Sequence, residues 1–430
     1  MAKNIHLVTI ENLSKDATGR AFNSDRIFSV HGALPKEIVR IRTYKKKSNT
    51  YQALLVEILT RSSLRVDPHC PHFNICSGCN LQHMPYGFQL NLKLESLEDS
   101  IQKAGIKFDG PISVIKGKEI GYRLKARLGL KWVAKKEKVV IGFRERGAGY
   151  ITDSSTCPVL HECLHEIVFK FPRLLEQTSL KNMVPQLEVV TDGESVAVIL
   201  RHLKPLTSDD QRKFLVFSEK FNVDIYLQSG GPKTISSIGN ATKMYYEVAG
   251  CKLRFTPASF IQVNRDINNY MVDIVLEEMD LNSEDKVVDF FCGLGNFSIP
   301  IAKYAKKVLG IEFDSDMIKL ARENATLNKF NNITFVKSDL YRPDIALTSN
   351  LSPNYNKIIL DPPRSGASSL ISQLNTDAVS LVIYVSCNAS TLAQDAKILT
   401  NQYGYKIGNV FMLDMFPQTI HFETIMVFKK

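Results

Sequence analysis

Long hydrophobic runs are missing from this 430-residue chain. The longest apolar segments, such as LVIYVSC ending at Cys387, fall well short of the roughly 18 residues that a membrane-spanning helix needs. The opening MAKNIHLVTI has no basic stretch followed by an apolar one, so it does not resemble a secretory leader. Internal repeats and low-complexity segments are also absent, and 44% hydrophobic with 23% charged residues exclude a disordered or collagen-like chain. We therefore expect a soluble, cytoplasmic protein without a membrane partner, and its length predicts roughly three domains.

Positive charge is concentrated at the amino-terminal end. The chain carries 54 Lys and Arg against 44 Asp and Glu, a net charge of +10, and residues 1–65 hold 12 of the basic and 5 of the acidic residues. From residue 250 onward the balance is 18 to 19, which is about neutral. This asymmetry favours a polyanionic partner at the amino-terminal end, although ordinary solubilising charge explains the net charge equally well.

Short alternating strands fill residues 1–60. The segments HLVTIENL, RIFSVHG, EIVRIRTY and YQALLVEIL are separated by glycine, proline and the run KKKSN. Many short strands in so few residues predict a small β-barrel of the OB type. Three lysines, Lys45 to Lys47, lie between Tyr44 and Tyr51, and cations beside aromatic rings suit a nucleic-acid strand. For the lysines alone, a solvated turn is the simpler interpretation.

Three domains follow from these patterns. Residues 1–60 are predicted to form the barrel, residues 61–248 a central α+β domain, and residues 249–430 the last domain. The central domain begins with a loop rich in Cys, Pro and His (61–85), followed by a helix over 86–104. An alternative prediction is that this helix packs on the last domain, which would make the central domain discontinuous.

Helices alternate with buried strands from about residue 255 onward. The predicted strands are KVVDFF, KKVLGIE, ITFVKSD, KIILDPP and LVIYVSC, each separated from the next by a helical or irregular segment. Such alternation predicts an α/β domain of Rossmann-like type, with an open parallel sheet. The last two strands, NVFMLDMF and IHFETIMVFKK, lack a helix between them and are predicted to form a hairpin at one edge.

Acidic residues end three successive strands of this domain. Asp289 opens DFFCGLGNF, in which Gly293 and Gly295 allow a ligand to approach the backbone closely. The third glycine of a dinucleotide fingerprint is absent, which favours an uncharged nucleoside head over a pyrophosphate. Glu312 is placed to accept ribose hydroxyls, and Asp339 to accept an adenine amino group. The pattern resembles class I methyltransferases that use S-adenosylmethionine.

Three further residues point to methylation of carbon. Asp361 is fixed by two prolines in DPPRSG, and Arg364, in place of the aromatic residue typical of amine methylation, argues against an amine target. Cys387 in VSCN lies at the same strand edge, and Glu423 lies in HFE. Carbon 5 of uracil becomes nucleophilic only when a thiolate adds to carbon 6, and a base must then remove its proton. A packing cysteine and a solvent-facing carboxylate are the alternative interpretation.

Four of the eight cysteines form a constellation of their own. Cys70, Cys76 and Cys79 are close in sequence, and Cys157 is followed by Pro158. In a cytoplasmic-looking chain, cysteines are better read as metal ligands than as disulfides. Four thiolates with a Cys-Pro member suit a [4Fe–4S] cluster. Zinc stays the lesser alternative because three histidines lie nearby, namely His69, His72 and His83.

Together these segments resemble the RNA uracil-5-methyltransferases, specifically the ribosomal branch that carries an iron–sulfur cluster. The resemblance runs from residue 67 to 423 through DPHCPHF, CSGCNLQH, YITDSSTCP, FIQVN, DFFCGLGNF, DPPRSGAS, VSCN and HFE. It implies that S-adenosylmethionine methylates carbon 5 of a specific uridine in 23S ribosomal RNA. It also implies an amino-terminal TRAM module and a [4Fe–4S] cluster. We expect the enzyme to be a monomer.

The resemblance also implies a role for individual residues. Cys387 resembles the nucleophile and Glu423 the proton-abstracting base. The cluster ligands implied are Cys70, Cys76, Cys79 and Cys157. The cofactor pocket implied consists of Gln262, Phe291, Asn296, Glu312, Asp339 and Asp361. Two positions depart from the family pattern, since Ala389 replaces a proline and Phe422 replaces a smaller aliphatic residue.

Three other functions remain as alternatives at this point. The same mechanism would serve a uridine of transfer RNA. A noncatalytic RNA-binding or assembly protein would keep the fold for its shape. A radical iron–sulfur enzyme is disfavoured because it usually needs C-x3-C-x2-C, whereas five residues separate Cys70 from Cys76 here.

Overall fold

The structure is a computed structural model that describes residues 5–23, 26–239, 241–342 and 354–430. Residues 1–4 and 24–25 of the predicted amino-terminal domain lie outside the described residues. The chain divides into two compact units, of which the first comprises Met1–Lys93, Glu119–Ala241 and Phe416–Ile420. The second comprises Leu94–Lys118, Thr242–Met415 and His421–Lys430. No helix in the described part of the chain is long and apolar enough to cross a bilayer.

The first sheet of the first unit contains the amino-terminal strands. It has six strands in the order β1-β5-β6-β4-β3-β2. Their bounds are β1 Ile5–Thr9, β2 Asn12–Leu13, β3 Gly19–Asn23, β4 Arg26–His31, β5 Ile38–Lys47 and β6 Thr50–Thr60. Alternate residues such as Val39 and Ile41 are fully buried while Arg40 and Arg42 are exposed. This period of two places one apolar face against a small core and leaves cations on the other face.

The second sheet of the first unit also has six strands, in the order β13-β12-β11-β10-β8-β9. They are β8 Lys125–Val133, β9 Lys138–Gly142, β10 Gln186–Thr191, β11 Val196–Arg201, β12 Val223–Gln228 and β13 Ile235–Ile238. Two helices, α2 Glu162–Glu176 and α3 Ser208–Phe221, pack on this sheet through buried residues such as Phe171 and Phe214. A capping box between Thr207 and Asp210 fixes the start of α3, because each side chain accepts from the other residue's backbone N–H.

The main sheet of the second unit has eight strands in the order β18-β17-β16-β19-β20-β22-β21-β7. Their bounds are β7 Ile112–Ile115, β16 Lys286–Phe290, β17 Lys307–Glu312, β18 Ile333–Lys337, β19 Lys357–Leu360, β20 Leu381–Ser386, β21 Lys406–Leu413 and β22 Glu423–Lys429. A two-stranded ribbon, β14 Met244–Val248 and β15 Cys251–Phe255, completes the strands of this unit's described residues. Every residue of β19 and β20 is buried, as expected for central strands covered on both faces.

Six further α-helices lie in the described residues besides α2 and α3. They are α1 Tyr86–Lys103, α4 Arg265–Met279, α5 Ser298–Ala302, α6 Ser315–Leu327, α7 Ser368–Ile371 and α8 Ala389–Asn401, counted within the described residues. Asparagine or aspartate side chains begin three of them: Asn264 caps α4, Asp314 caps α6 and Asn388 caps α8. Each of these caps accepts a backbone N–H of the first helical turn, which fixes where the preceding strand or loop ends.

The edge of the main sheet differs from the prediction. The strands β21 and β22 pair with each other antiparallel, as predicted, but the edge itself is β7, which pairs parallel with β21. Ile112 lies opposite Val410 in this pairing. A contact between segments so distant in sequence leaves no periodic signal in either one, so the hydrophobic pattern did not indicate it.

Candidate active site

Several of the predicted catalytic and cofactor-binding residues lie at one edge of the eight-stranded sheet. Strands β16, β17, β19 and β20 are parallel neighbours, so their carboxyl ends lie at the same edge. Strand β22 runs antiparallel to β20, so its first residue lies at that edge too. The edge thus receives Asp289 from β16, Glu312 from β17, Asp361 after β19, Cys387 after β20 and Glu423 from β22. Ligands of open α/β sheets bind at this edge.

Cys387 and Glu423 lie at the same end of the β20–β22 strand pair. The register runs from Leu381 opposite Lys429 to Ser386 opposite Thr424, and Cys387 follows Ser386 while Glu423 precedes Thr424. Burial and, after it, the charge of the Glu423 carboxylate raise the pKa of the Cys387 thiol to about 11. Two reactive groups thus lie close to each other where this strand pair ends.

Arg364 opposes this rise in the pKa of Cys387. Its guanidinium forms a hydrogen bond with the thiol, and both the bond and its positive charge lower the pKa of Cys387. The backbone of Arg364 is held from helix α8, because Asn388 Nδ2 and Thr391 Oγ1 donate to its carbonyl oxygen at 2.8 and 3.2 Å. The sequence prediction used Arg364 only to exclude an amine target, and missed this contact with the nucleophile.

Carboxyl groups crowd the same edge. Burial raises the pKa of Asp361 to about 7, and that of Asp289 to about 8 with a further contribution from the charge of Asp361. Glu423 is 5% exposed, and burial followed by the charge of Asp361 raises its pKa well above the ordinary value. The charge of Arg364 acts in the opposite direction and lowers the pKa of both Cys387 and Glu423.

A second part of the edge is lined by Asp289 and Glu312. Asp289 is fully buried, its Oδ2 accepts a hydrogen bond from the Ser298 hydroxyl, and its Oδ1 has no partner among the described residues. Glu312 is fixed by the backbone, since its Oε2 accepts from Gly293 N at 3.2 Å and its Oε1 from Phe313 N at 2.7 Å. An unpartnered buried carboxyl oxygen indicates a place where a ligand or water would donate.

The loop between these two acids has unusual backbone angles. Gly293 and Gly295 have φ angles of 55° and 97°, and Phe291 has a φ of 66° although it is not glycine. A Cβ at Gly295 would come within 2.8 Å of the Ile299 side chain, whereas a Cβ at Gly293 would meet nothing within 4 Å. The open space at Gly293 is therefore available to a ligand. The ring of Phe291 lies 6.0 Å from that of Tyr341.

The other predicted cofactor residues have different surroundings. Asn296 is occupied within the protein, since its Oδ1 accepts from Tyr246 at 2.9 Å and it exchanges amide hydrogen bonds with Asn268 at 2.9 and 3.1 Å. Asp339 follows β18, and its Oδ1 accepts from Tyr341 N at 3.0 Å. Gln262 is half-buried in the segment that leads into α4.

The four predicted cluster cysteines lie near one another in the first unit. All four are free thiols. Burial and, after it, the charges of Cys79, Cys70 and Cys76 together raise the pKa of Cys157 to about 12. Arg146 is the nearby cation, and it donates to the carbonyl oxygens of Cys76 and Cys79. Nevertheless, no group of three or more His, Cys, Asp or Glu in the described ranges forms a site that could hold a metal ion.

Comparison with known protein families shows which family this chain and its candidate site belong to. The family model described as tRNA (Uracil-5-)-methyltransferase matches residues 86–430. The chain belongs to this family. The match includes the strand edge with Cys387 and Glu423, and it confirms the family that the motifs predicted. An RNA uracil-5-methyltransferase is an enzyme, so that prediction is confirmed as well.

Several curated members of the uracil-5-methyltransferase family are similar over their whole length. The 23S rRNA (uracil(1939)-C(5))-methyltransferase of Hahella chejuensis is 38% identical over 98% of this chain and 96% of its own length. The protein with the same description from Vesicomyosocius okutanii is 37% identical over 98% of this chain and 97% of its own. The one from Francisella tularensis subsp. novicida is 36% identical over 100% and 98%.

A solved structure has the same fold as this uracil-5-methyltransferase family member. The crystal structure of Pyrococcus abyssi tRNA (uracil-54, C5)-methyltransferase, in complex with S-adenosyl-L-homocysteine, matches with a TM-score of 0.77 and 23% sequence identity. The match covers 98% of this chain and 99% of that chain. At this identity the likeness concerns the fold, and it confirms the predicted α/β methyltransferase architecture.

Proposed function

We propose that this enzyme methylates carbon 5 of a uridine in 23S ribosomal RNA, with S-adenosylmethionine as the methyl donor. Membership of the uracil-5-methyltransferase family supports the reaction. The curated relatives described as 23S rRNA methyltransferases support ribosomal RNA over transfer RNA as the substrate, because they align over nearly the whole chain. The observation that carries the mechanism is that Cys387 and Glu423 lie close together at the same end of the β20–β22 strand pair.

Cys387 starts the reaction as the nucleophile. Its thiol loses a proton to solvent with the help of Arg364, and the thiolate forms a carbon–sulfur bond to carbon 6 of the uracil. The electrons of the carbon 5–carbon 6 double bond move into an enolate, which makes carbon 5 nucleophilic. The target base has to leave its stack to meet a thiol at the strand edge, which favours a loop or bulge over a duplex.

Glu423 ends the reaction as the base. Once carbon 5 carries its methyl group, the Glu423 carboxylate takes the remaining proton from that carbon. The bonding electrons restore the double bond, and the carbon–sulfur bond breaks to release Cys387 as a thiolate. Burial that raises the pKa of Glu423 makes its ionised form a stronger base for this step.

The donor pocket is proposed at the other half of the edge. S-adenosylmethionine, when bound, supplies the methyl group. Glu312, held by backbone N–H groups, would accept the ribose hydroxyls, and the space at Gly293 would admit the ligand beside the backbone. Asp361 would serve both halves of the edge, since its charge raises the pKa of both Asp289 and Cys387. Asn296 would act by holding its loop through Tyr246 and Asn268. We keep Gln262, Phe291 and Asp339 as further pocket residues.

The first unit is proposed to bind the RNA and a metal cluster. The amino-terminal sheet would serve as the TRAM module, since Lys46 and Arg26 lie 5.2 and 5.7 Å from the ring centre of Tyr51. A [4Fe–4S] cluster would be held by the four cysteines Cys70, Cys76, Cys79 and Cys157. The set is supported by Cys157, whose pKa is raised by burial and then by the charges of Cys79, Cys70 and Cys76, although no group in the described ranges forms a metal site as it stands.

The proposed function is tested by methyl transfer to defined RNA substrates. The wild-type enzyme should methylate a 23S fragment at one mass-mapped uridine, and Cys387→Ala should abolish the transfer. Cys163→Ala is the matched control, since Cys163 is also half-buried and its thiol donates to the backbone carbonyl oxygen of Gly193 in the first unit. Methylation of transfer RNA alone would refute the ribosomal substrate, and methylation by Cys387→Ala would refute the mechanism.

A further inference from the structure

A short segment joins the last two strands of the main sheet but belongs to the other unit. We call Phe416–Ile420 the strap. It follows Met415 and precedes His421, both of which belong to the second unit, whereas the strap itself belongs to the first. Glu423, the proposed base, comes three residues after the strap and is the first residue of β22. Anything that fixes the strap therefore fixes the chain immediately before the base.

Gln418 is the most constrained residue of the strap. It is 1% exposed and has a φ of 67°, which is unfavourable for a residue with a side chain. Its carbonyl oxygen accepts from Asn80 N at 2.9 Å and Leu81 N at 3.1 Å. Its side chain donates to Glu119 Oε2 at 3.1 Å and accepts from Gln89 Nε2 at 3.0 Å. A strained conformation persists only where its surroundings determine it in this way.

Two further buried side chains hold the strap from the first unit. The Tyr122 hydroxyl donates to the carbonyl oxygen of Pro417 at 2.9 Å. The ammonium group of Lys93, which is 2% exposed, donates to the carbonyl oxygen of Phe416 at 3.2 Å. A buried lysine is costly to keep unless its charge has partners, so this contact also marks the strap as a fixed element.

The strap is hydrogen-bonded to the segment that carries Cys70, Cys76 and Cys79, residues 61–85, which we call the cysteine loop. Asn80, which follows Cys79 in the chain, accepts a hydrogen bond from Ile420 N through its Oδ1 at 3.3 Å and donates its own N–H to Gln418. Cys79 is in turn one of the four proposed cluster ligands. A chain of bonded residues thus runs from Cys79 through Asn80 and the strap to Glu423.

We propose that Gln418 is a positioning residue, and that the cysteine loop acts through the strap to place Glu423 for proton removal. The inference rests on the proposed function, because it assigns Glu423 the role of base. It gives the cysteine loop a purpose in a reaction that has no redox step. Gln418 itself does not touch the reacting atoms. Misplacing a base by about 1 Å costs on the order of 100-fold in rate, so a fixed strap has a measurable effect.

The test measures whether the reaction stops at the covalent adduct, before the proton is removed from carbon 5. Addition of Cys387 and methyl transfer both precede proton removal, so a displaced Glu423 leaves the methylated RNA bonded to Cys387. With ordinary uridine RNA, we expect Gln418→Ala and Tyr122→Phe to form this adduct at nearly the wild-type rate. Release of product should slow about 10- to 100-fold in Gln418→Ala and less in Tyr122→Phe. The adduct is counted as protein that stays bound to RNA in a denaturing gel.

Hydrogen exchange provides a second measurement that does not depend on activity. In both variants, the peptide that covers residues 416–423 should exchange its amide hydrogens faster than in the wild type. Asn332→Ala is the matched control. Like the strap contacts, Asn332 Nδ2 donates hydrogen bonds to backbone carbonyl oxygens, those of Ala302 and Ala305, both at 2.8 Å. This control should change neither the adduct nor the exchange of the strap.

The possible results separate this inference from the proposed function. If wild-type protein forms no adduct and transfers no methyl group, the proposed function fails. If the wild type reacts, adduct accumulation in the strap variants supports the inference. Wild-type release rates in both variants would overturn it, and so would equal losses of adduct formation and release. Since Tyr122→Phe keeps the ring and removes one hydroxyl, it remains informative if Gln418→Ala does not fold.

Discussion

The carboxylate of Glu423, the first residue of β22, raises the pKa of the thiol of Cys387, the residue that follows β20. The two strands pair antiparallel as far as Ser386 and Thr424, the neighbours of this cysteine and this glutamate. Neither residue is near the other in sequence. The antiparallel return of β22 therefore brings the two side chains that we propose as nucleophile and base to the same end of the sheet.

Replacement of Arg364 should slow the formation of the bond to Cys387. Below the pKa of about 11, the thiolate fraction rises about tenfold for each pH unit, and Arg364→Gln raises that pKa further by removing the favourable charge. We expect adduct formation at pH 8 to fall about tenfold and to recover as the pH rises. The rate of adduct formation is measured by quenching the reaction at successive times between pH 6.5 and 9.5. Arg322→Gln, which loses a contact to the Phe335 carbonyl, is the control, and equal rates for Arg364→Gln and wild type would contradict the role of Arg364.

Gly366 should be needed for activity as well as for stability. It has a φ of 77°, and a Cβ there would lie 2.8 Å from Asp395 Oδ2, which accepts from the Ala367 N–H at 2.6 Å. Gly366→Ala should therefore displace the loop that carries Asp361, and reduce methyl transfer at least about tenfold. Gly404→Ala is a close control, since Gly404 has a φ of 72° but nothing within 4 Å of its Cβ position. Urea denaturation should give both variants a loss of about 1–2 kcal/mol, with activity lost only in Gly366→Ala.

A buried ion pair should support the main sheet at neutral pH. Lys357 Nζ lies 2.8 Å from Asp285 Oδ2, and its hydrogen bond lowers the pKa of Asp285 even though burial acts to raise it. Removing one partner of a buried pair costs about 3–5 kcal/mol, so Asp285→Asn should lower the free energy of unfolding by that amount. Because the folded pKa is below the unfolded one, this contribution is complete above about pH 4 and is lost as the pH falls through the folded value.

The neighbouring exposed pair is the control for this prediction. Glu284 and Lys306 lie 2.7 Å apart with most of the glutamate side chain exposed to solvent. Glu284→Gln should change the unfolding free energy by less than about 1 kcal/mol, since surface ion pairs are largely offset by hydration. Similar losses for the two variants, measured in urea at pH 7, would mean that the burial of Asp285 has no energetic consequence.

The four cysteines should determine the iron content of the protein. Reconstituted under anaerobic conditions, wild-type protein should bind about four iron atoms, and Cys157→Ser should bind clearly fewer. Cys163→Ser should keep the wild-type content, because Cys163 lies outside the proposed set. Elemental analysis distinguishes the alternatives directly. Zinc in place of iron, or equal iron in Cys157→Ser and wild type, would contradict a four-cysteine iron–sulfur cluster.

The parts of the fold that the sequence predicted correctly have local signals. The strands that end at Phe290, Glu312 and Ser386 are buried apolar runs followed by loop or helix-cap residues, and the structure places their ends at one edge. Parallel strands that alternate with helices end at one common edge of the sheet, so this shared edge follows from the pattern, whereas the order of the strands does not. The placement of Glu312, Asp361 and Cys387 at one edge could therefore be predicted from the sequence.

The contacts that were missed lack such signals. The pairing of Ile112 with Val410 and the bonds from Asn80 to Gln418 join segments about 300 residues apart, and neither segment has a periodicity that names its partner. The bond of Arg364 to Cys387 depends on how two loops are held after their strands end. Side-chain partners of this kind are fixed by packing, which a single sequence does not display.

The most direct test is to trap the enzyme on RNA that contains 5-fluorouridine at the target position. Fluorine at carbon 5 cannot be removed as a proton, so the reaction stops with Cys387 bonded to carbon 6 after methyl transfer. With S-adenosylmethionine present, we predict an adduct that survives denaturation and whose cross-linked peptide contains Cys387. If folded protein gives no adduct on any such RNA, or if the adduct maps to a different cysteine, covalent catalysis by Cys387 is wrong.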